Sequence, residues 1–166
     1  MKTLKLFRLH PEAITPTCAT ERSACFDIHA CLKPDTKVTM WFPDNHKESV
    51  PVTCWFELGP GERALIPTGF IFGIPEGYSL RIHPRSGIAI KSGINLANCE
   101  GVVDEDYPEQ TYVALTNNSE VPYLINDGDR IAQGEIVPVQ QFIFENVLEN
   151  PVNRTNRVSG VGSTGR

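Results

Sequence analysis

This sequence is poor in helical periodicity, in membrane-length apolar runs and in paired cysteines, and each shortage excludes something. No apolar run approaches the ~20 residues of a membrane span, and "MKTLKLFRLHPEAITPTC" lacks the long apolar core of a secretion signal. A cytoplasmic chain without a membrane role is expected. The five cysteines, Cys18, Cys25, Cys31, Cys54 and Cys99, are odd in number and contain no C-x-x-C pair. Reduced thiols are expected, rather than a disulfide frame or a zinc site. The four histidines, His10, His29, His46 and His83, are scattered, so no protein-built metal cage is expected. A basic excess is also missing. At a net charge of -5 the chain has no bulk positive field for non-specific nucleic-acid binding, although local arginines can still hold a small anion.

What is present suits one globular domain: 166 residues, 40% of them hydrophobic. Thirteen glycines and thirteen prolines divide the chain into short pieces. Between them recur runs rich in Val, Ile, Phe, Tyr and Thr: "ACFDIHACL", "KVTMWF", "VPVTCWFEL", "RALIPTGFIFGI", "YSLRIH", "QTYVALTN", "VPYLI", "RIAQGEIVPV" and "QFIFENV". "GPGER", "PEG" and "NDGD" are turn signals that supply a Pro-fixed φ or a glycine at φ > 0. "SGIAIKSG" is the candidate for a single short helix. The expectation is an all-β domain, a jelly roll or a barrel. "KVTMWF" and "VPVTCWFEL" flank the polar "PDNHKES" and carry Trp41-Phe42 and Trp55-Phe56. A hairpin arm at about 36–58 is expected. Its aromatics either pack on the main sheet or receive a protein partner.

Five stretches carry polar chemistry. "HPRSGIAIKSGI" puts Arg85, Ser86 and Gly87 where a turn opens the helix, and a guanidinium, a hydroxyl and free N–H groups there suit an anion. "GVVDEDY" puts Asp104 and Tyr107 directly after an apolar run, where a carboxylate can serve as a general base for water. "NDGDRIAQG" supplies Arg130 and Gln133. Asp27 is the one acid in the apolar "SACFDIHA", so it needs a cation or several donors, with arginines the plausible partners. Last, "SGVGSTGR" spells G-x-G-x-x-G at Gly160, Gly162 and Gly165. That dinucleotide-binding fingerprint needs a strand before it and a helix after it. Only Arg166 follows.

In this order and spacing, "SACFDI", "PRSG", "GVVDEDY", "DRIAQ" and "RVSGVGSTG" resemble the five motifs of the trimeric dUTPase family, from about residue 18 to residue 166. The resemblance implies a jelly-roll-like β subunit over 1–150 and a flexible Gly-rich arm over 151–166. It also implies a homotrimer whose active sites draw motifs from all three chains. The activity implied is hydrolysis of dUTP to dUMP and pyrophosphate, which keeps uracil out of DNA and supplies dUMP for dTMP synthesis. Asp104 would activate water, and Gln133, the second residue of the catalytic set, would help hold the α- and β-phosphates. Arg85, Ser86 and Gly87 would hold the inner phosphates, and Arg157, Ser163 and Thr164 would close on the γ-phosphate. Asn98, Gly101, Val102, Val103, Tyr107, Tyr112 and Val161 would receive uracil and deoxyribose, in a hairpin of "NLANCEGVV" with "TYVAL". Asp27 and Arg130 would support the site. Mg²⁺ would be held by substrate phosphates and water. The tail would then be a strap whose own backbone N–H groups bind oxygens, which needs no helix.

The sequence departs from the family pattern at Glu109, which replaces a glycine and follows Pro108, and at Val161, which replaces a stacking aromatic. Arg157 also lies one residue nearer the Gly-Ser-Thr-Gly core than is usual. Two other readings stay open on these residues: a dCTP deaminase of the same superfamily, and a dUTPase-like nucleotide-binding regulator acting through the Trp41/Trp55 arm.

Overall fold

The computed structural model describes residues 3–150 and 152. In chain order the strands are β1 (Lys5–Arg8), β2 (Thr17–Cys18), β3 (Phe26–His29), β4 (Lys37–Trp41), β5 (Lys47–Pro51), β6 (Trp55–Leu58), β7 (Arg63–Pro67), β8 (Phe70–Gly73) and β9 (Tyr78–His83). After the short helix α1 (Ser86–Ser92) come β10 (Ile94–Leu96), β11 (Gly101–Val103), β12 (Tyr112–Asn117), β13 (Tyr123–Asn126) and β14 (Arg130–Pro138). They form two five-stranded antiparallel sheets, β10-β12-β7-β4-β5 and β11-β9-β14-β3-β2, with the pairs β1-β8 and β13-β6 beside them. This is the expected jelly-roll-like all-β fold with one helix among the described residues. No helix there is long and apolar enough to cross a membrane.

Period-two alternation explains the layers. Val38 and Met40 of β4, Ala64 and Ile66 of β7, and Val113 and Leu115 of β12 are buried from the first sheet. Ile28, Leu80, Ile82 and Ala132 are buried from the second. Fully burying a Leu or Ile side chain stabilises by about 1.5–3 kcal/mol, so this shared core fixes the register of both sheets. The polar face of the second sheet, carrying Asp27, His83 and Gln133, then points away from it. Gly134 sits between these polar positions with its back to the core. A Cβ there would lie 2.6 Å from the Phe26 ring, so the close packing of β14 on β3 requires glycine.

Three sequence expectations are corrected. The hairpin turns earlier than expected, because β4 pairs with β5, Trp41 opposite Lys47 and Lys37 opposite Pro51. "VPVTCWFEL" is divided: its first residues end β5, and its last form β6, which pairs with β13. β5 can bear Lys47, Glu48 and Pro51 because it is a sheet edge, where charge and proline deter further pairing. Second, "QFIFENV" is not a strand. It has the composition of one, but among the described residues no strand lies along it, and Phe142, Ile143 and Phe144 stand exposed. Third, "NLANCEGVV" does not form one hairpin with "TYVAL". β10 pairs with β12, whereas β11 crosses to the other sheet and pairs with β9. The crossing is tight, since a Cβ on Gly101 would lie 2.9 Å from that of Ile82.

Candidate active site

The crossing of β11 opens a pocket of about 290 Å³ between the sheets, lined by Leu65, Val102, Val103, Asp104, Tyr107, Thr111 and Tyr112. Its lining is mostly apolar, with Asp104 the one acid, and its size is that of a nucleoside site. The turn after β11 is closed by the Tyr107 N–H donating to the Asp104 carbonyl at 3.2 Å. The Tyr107 hydroxyl donates to the Gln110 carbonyl at 3.3 Å, which steadies the ring. Burial, followed by the Glu109 charge, raises the Tyr107 pKa above the usual tyrosine value, so the phenol stays neutral.

The three consecutive acids divide by their contacts. The Glu105 carboxylate accepts from the Gly77 N–H. Asp106 faces a different cavity, with Gly77, Tyr78 and Gln141. Asp104 lines both cavities. Its carboxylate, like that of Asp106, has no hydrogen bond or ion pair among the described residues, but only Asp104 lines the apolar pocket.

The predicted anion residues meet on the polar face of the second sheet. Asp27 lies between two guanidinium groups: Arg85 Nε donates to Oδ1 at 3.1 Å and an Arg130 terminal nitrogen donates to Oδ2 at 3.2 Å. Arg85 also donates to the Arg130 carbonyl at 3.1 Å. Two of its three nitrogens are thus engaged, which fixes the direction of the third. Strand register explains the meeting, because Gln133 is opposite Asp27 on β3 and opposite His83 on β9. The Gln133 amide donates to the Pro84 carbonyl at 3.1 Å and so ties β14 to the turn that carries Arg85. Arg85 is the N-cap of α1, and no side chain caps that end. Ser86 and Gly87 are exposed, and nothing lies within 4 Å of a Cβ at Gly87.

Not every expected residue reaches a pocket. Asn98 is exposed on the turn between β10 and β11, and Gly101 is buried against Ile82. Arg157, Val161, Ser163 and Thr164 lie outside the described residues. The cavity beside Asp27 and Gln133, also lined by Ala19, Ser23 and Cys25, shares no residue with the nucleoside-sized pocket. One chain therefore presents two separate part-sites.

Two features were not legible beforehand. Thr111 is 2% exposed and its hydroxyl has no hydrogen-bond partner, although it lines the nucleoside-sized pocket. In the sequence it is an ordinary strand threonine. Second, Cys25, His83 and Glu135 come together with ligand atoms all within 4.8 Å of one another. They lie on or beside three different strands, and only the register reveals them. The Trp-Phe pairs also divide: Phe56 is buried, whereas Trp55 is half exposed beside a groove lined by Met40, Val50 and Val52. The Lys47 ammonium lies 5.6 Å from the centroid of the Trp41 ring.

Comparison with known proteins bears on these part-sites. The dUTPase family model matches residues 49–165. A deoxyuridine 5'-triphosphate nucleotidohydrolase of Rhizobium rhizogenes is 40% identical over 166 residues, covering 98% of this chain and 94% of that protein. Another, from Syntrophotalea carbinolica, is 34% identical and covers 98% and 97%. Among solved structures, a Staphylococcus bacteriophage 80alpha dUTPase mutant with dUpNHpp is similar in fold, with a TM-score of 0.79 at 22% identity and full coverage of both chains. A phage phi11 dUTPase, described with a structural Mg(II) ion, has a TM-score of 0.69 at 24% identity, covering 89% of this chain and 98% of that one.

Proposed function

This chain belongs to the dUTPase family and hydrolyses dUTP to dUMP and pyrophosphate, and from that premise we propose how its residues divide the work. Asp104 orients a water and takes its proton as the oxygen attacks the α-phosphorus in line. The observation that carries this role is that Asp104 is the one acid among the residues lining the nucleoside-sized pocket. An aspartate is a weak base, so orientation and charge stabilisation supply much of the acceleration. Val102, Val103 and Tyr112 enclose the base, and Tyr107 lies under the deoxyribose, where its ring excludes a 2′-hydroxyl. Cytosine would set a donor against a site built for an acceptor and leave groups unpaired.

The remaining Arg85 nitrogen, the Ser86 hydroxyl and the exposed backbone at Gly87 face the inner phosphates, and Gln133 holds the Arg85 turn in place. Asp27 and Arg130 position Arg85 and do not touch substrate. Arg157, Ser163, Thr164 and Val161 close over the bound nucleotide from the tail. Mg²⁺ is the cofactor. The described residues fit a phosphate-held ion: their one cluster with metal-ligand spacing contains a thiol and an imidazole, which do not suit a hard cation. When bound, Mg²⁺ neutralises phosphate charge and makes the α-phosphorus more electrophilic.

The working enzyme is a homotrimer with shared sites. Two observations support this reading: the part-sites have no lining residue in common, and the apolar Phe142, Ile143, Phe144 and Leu148 are exposed among the described residues. The five free cysteines fit a reducing cytoplasm. The half-exposed Trp55 and its groove support a second reading, a protein partner on the β4–β5 side, for which a Trp55→Ser pull-down is the check.

Complementation tests the shared site. Arg85→Ala and Asp104→Asn should each be inactive alone. Mixed, unfolded and refolded together, they should recover part of the wild-type rate, because some hybrid sites draw both intact residues. No recovery, with hybrid trimers present by mass, would put both residues in one chain's site.

A further inference from the structure

We propose that Cys25, His83 and Glu135 form a zinc site, with three protein ligands and a water in the fourth position. The second five-stranded sheet places the residues by register. Gln133 of β14 lies opposite His83 of β9 and opposite Asp27 of β3. Side chains two residues apart on a strand share a face. Cys25 therefore shares the face of Asp27, and Glu135 that of Gln133. His83 shares the rung of Asp27 and Gln133 and reaches diagonally to Cys25 and Glu135, two residues along their strands.

The geometry suits a tetrahedral ion. The three ligand atoms lie within 4.8 Å of one another, and His83 Nε2 is 3.5 Å from Glu135 Oε2. Two ligands about 2.0–2.1 Å from a tetrahedral zinc stand roughly 3.4 Å apart. His83 Nε2 is out of contact with solvent and lacks a hydrogen-bond partner, which is costly for an imidazole nitrogen unless something binds it.

The opposite side of the ring is equipped as well. Glu100 Oε1 is 3.7 Å from His83 Nδ1, and the other oxygen of Glu100 is held by Arg81 at 3.1 Å. A carboxylate on the far nitrogen of a ligating histidine fixes the tautomer and strengthens the donor. The donor set selects the ion. A thiolate and an imidazole favour zinc, whereas Mg²⁺ requires oxygen ligands. On binding, the Cys25 thiol gives up its proton to solvent and its sulfur joins the metal, so no oxidant or reductant is needed. The ion would bind side chains from β9 and β14 and the residue just before β3 together, and so hold the sheet beside the phosphate-binding side chains.

Cobalt reports the site directly. The chelator-treated full-length protein, titrated with Co²⁺, should develop a near-ultraviolet thiolate-to-cobalt band and visible bands of tetrahedral intensity, saturating at one ion per chain. Zn²⁺ should erase both, and excess Mg²⁺ should not. Cys25→Ser should lose the thiolate band. Glu135→Gln, a change at a half-exposed residue, should weaken Co²⁺ binding at least about tenfold, in the range typical of a lost metal contact, while its metal-free circular dichroism stays that of the wild type. Cys18→Ser and Cys99→Ser should bind as the wild type does. Absence of a thiolate band in the folded wild type, or its persistence in Cys25→Ser, would overturn the proposal.

Discussion

Replacing Asp27 by asparagine removes the anion from a junction that joins β3, β14 and the turn before α1. The carboxylate is 16% exposed, Arg85 23% and Arg130 54%. An exposed ion pair contributes about 0–1 kcal/mol, and breaking a fully buried one costs about 3–5 kcal/mol. This junction lies between the two limits. Arg130 can re-enter water, and the asparagine carbonyl can still accept one bond from Arg85. The cost should therefore be about 2 kcal/mol. For a chain of this size that corresponds to a fall in Tm of about 4–8 °C, measured by scanning calorimetry at one fixed protein concentration because assembly contributes. The larger effect should be catalytic. Arg85 loses the partner that aims it, and a misplaced phosphate donor should lower kcat/KM for dUTP about a hundredfold. Arg130→Gln is the internal control. It keeps the backbone carbonyl that receives Arg85, so its loss of stability should be no more than about 1 kcal/mol. A Tm unchanged within about 1 °C, together with kcat/KM within about twofold of wild type, would refute the idea that Asp27 holds the site in shape.

Three further outcomes follow from local geometry. Gly134→Ala should destabilise by about 1–3 kcal/mol in urea unfolding, because the new methyl meets the Phe26 ring and the strand must shift. Thr111→Val removes a buried hydroxyl that has no hydrogen-bond partner among the described residues. Tm should stay level or rise, while KM for dUTP rises about 3- to 10-fold if that hydroxyl bonds the base, the worth of one neutral hydrogen bond. The His29 imidazole is pushed below its ordinary pKa, first by burial and then by Arg130 and Arg85, against the opposing effect of Asp27. A depressed pKa stabilises the fold above the unfolded value of about 6.5 and loses that contribution as pH falls through the lowered one. His29→Gln should therefore flatten the acid side of a Tm–pH profile below about pH 6.5, and an unchanged slope would remove His29 from the account.

The strands that could be read from the sequence were those with a core to face. Val38 and Met40, or Val113 and Leu115, alternate with polar neighbours because one side of each strand is buried. "QFIFENV" misleads for the complementary reason. β-propensity describes a fit to a neighbouring strand, and no strand among the described residues supplies one. The edge role of β5 was hidden because pairing is a tertiary fact. At the site, the solitary acid of "SACFDIHA" pointed correctly to arginine partners, since a half-buried carboxylate requires compensation. Asp104 was legible as an acid after an apolar run, but not as the one of the three that lines the apolar pocket. Thr111 and the Cys25–His83–Glu135 cluster carried no signal, because their meaning comes from register between strands that the sequence leaves far apart.

The central claim is that Asp104 activates water for hydrolysis of dUTP in particular. Pyrophosphate release from dUTP, dTTP, dCTP and UTP with Mg²⁺, for the wild type and Asp104→Asn, tests it most directly. The account predicts release from dUTP far above the other three, and a fall of about a thousandfold in the folded Asp104→Asn protein. Comparable release from UTP or dCTP, or an Asp104→Asn rate near that of the wild type, would contradict it.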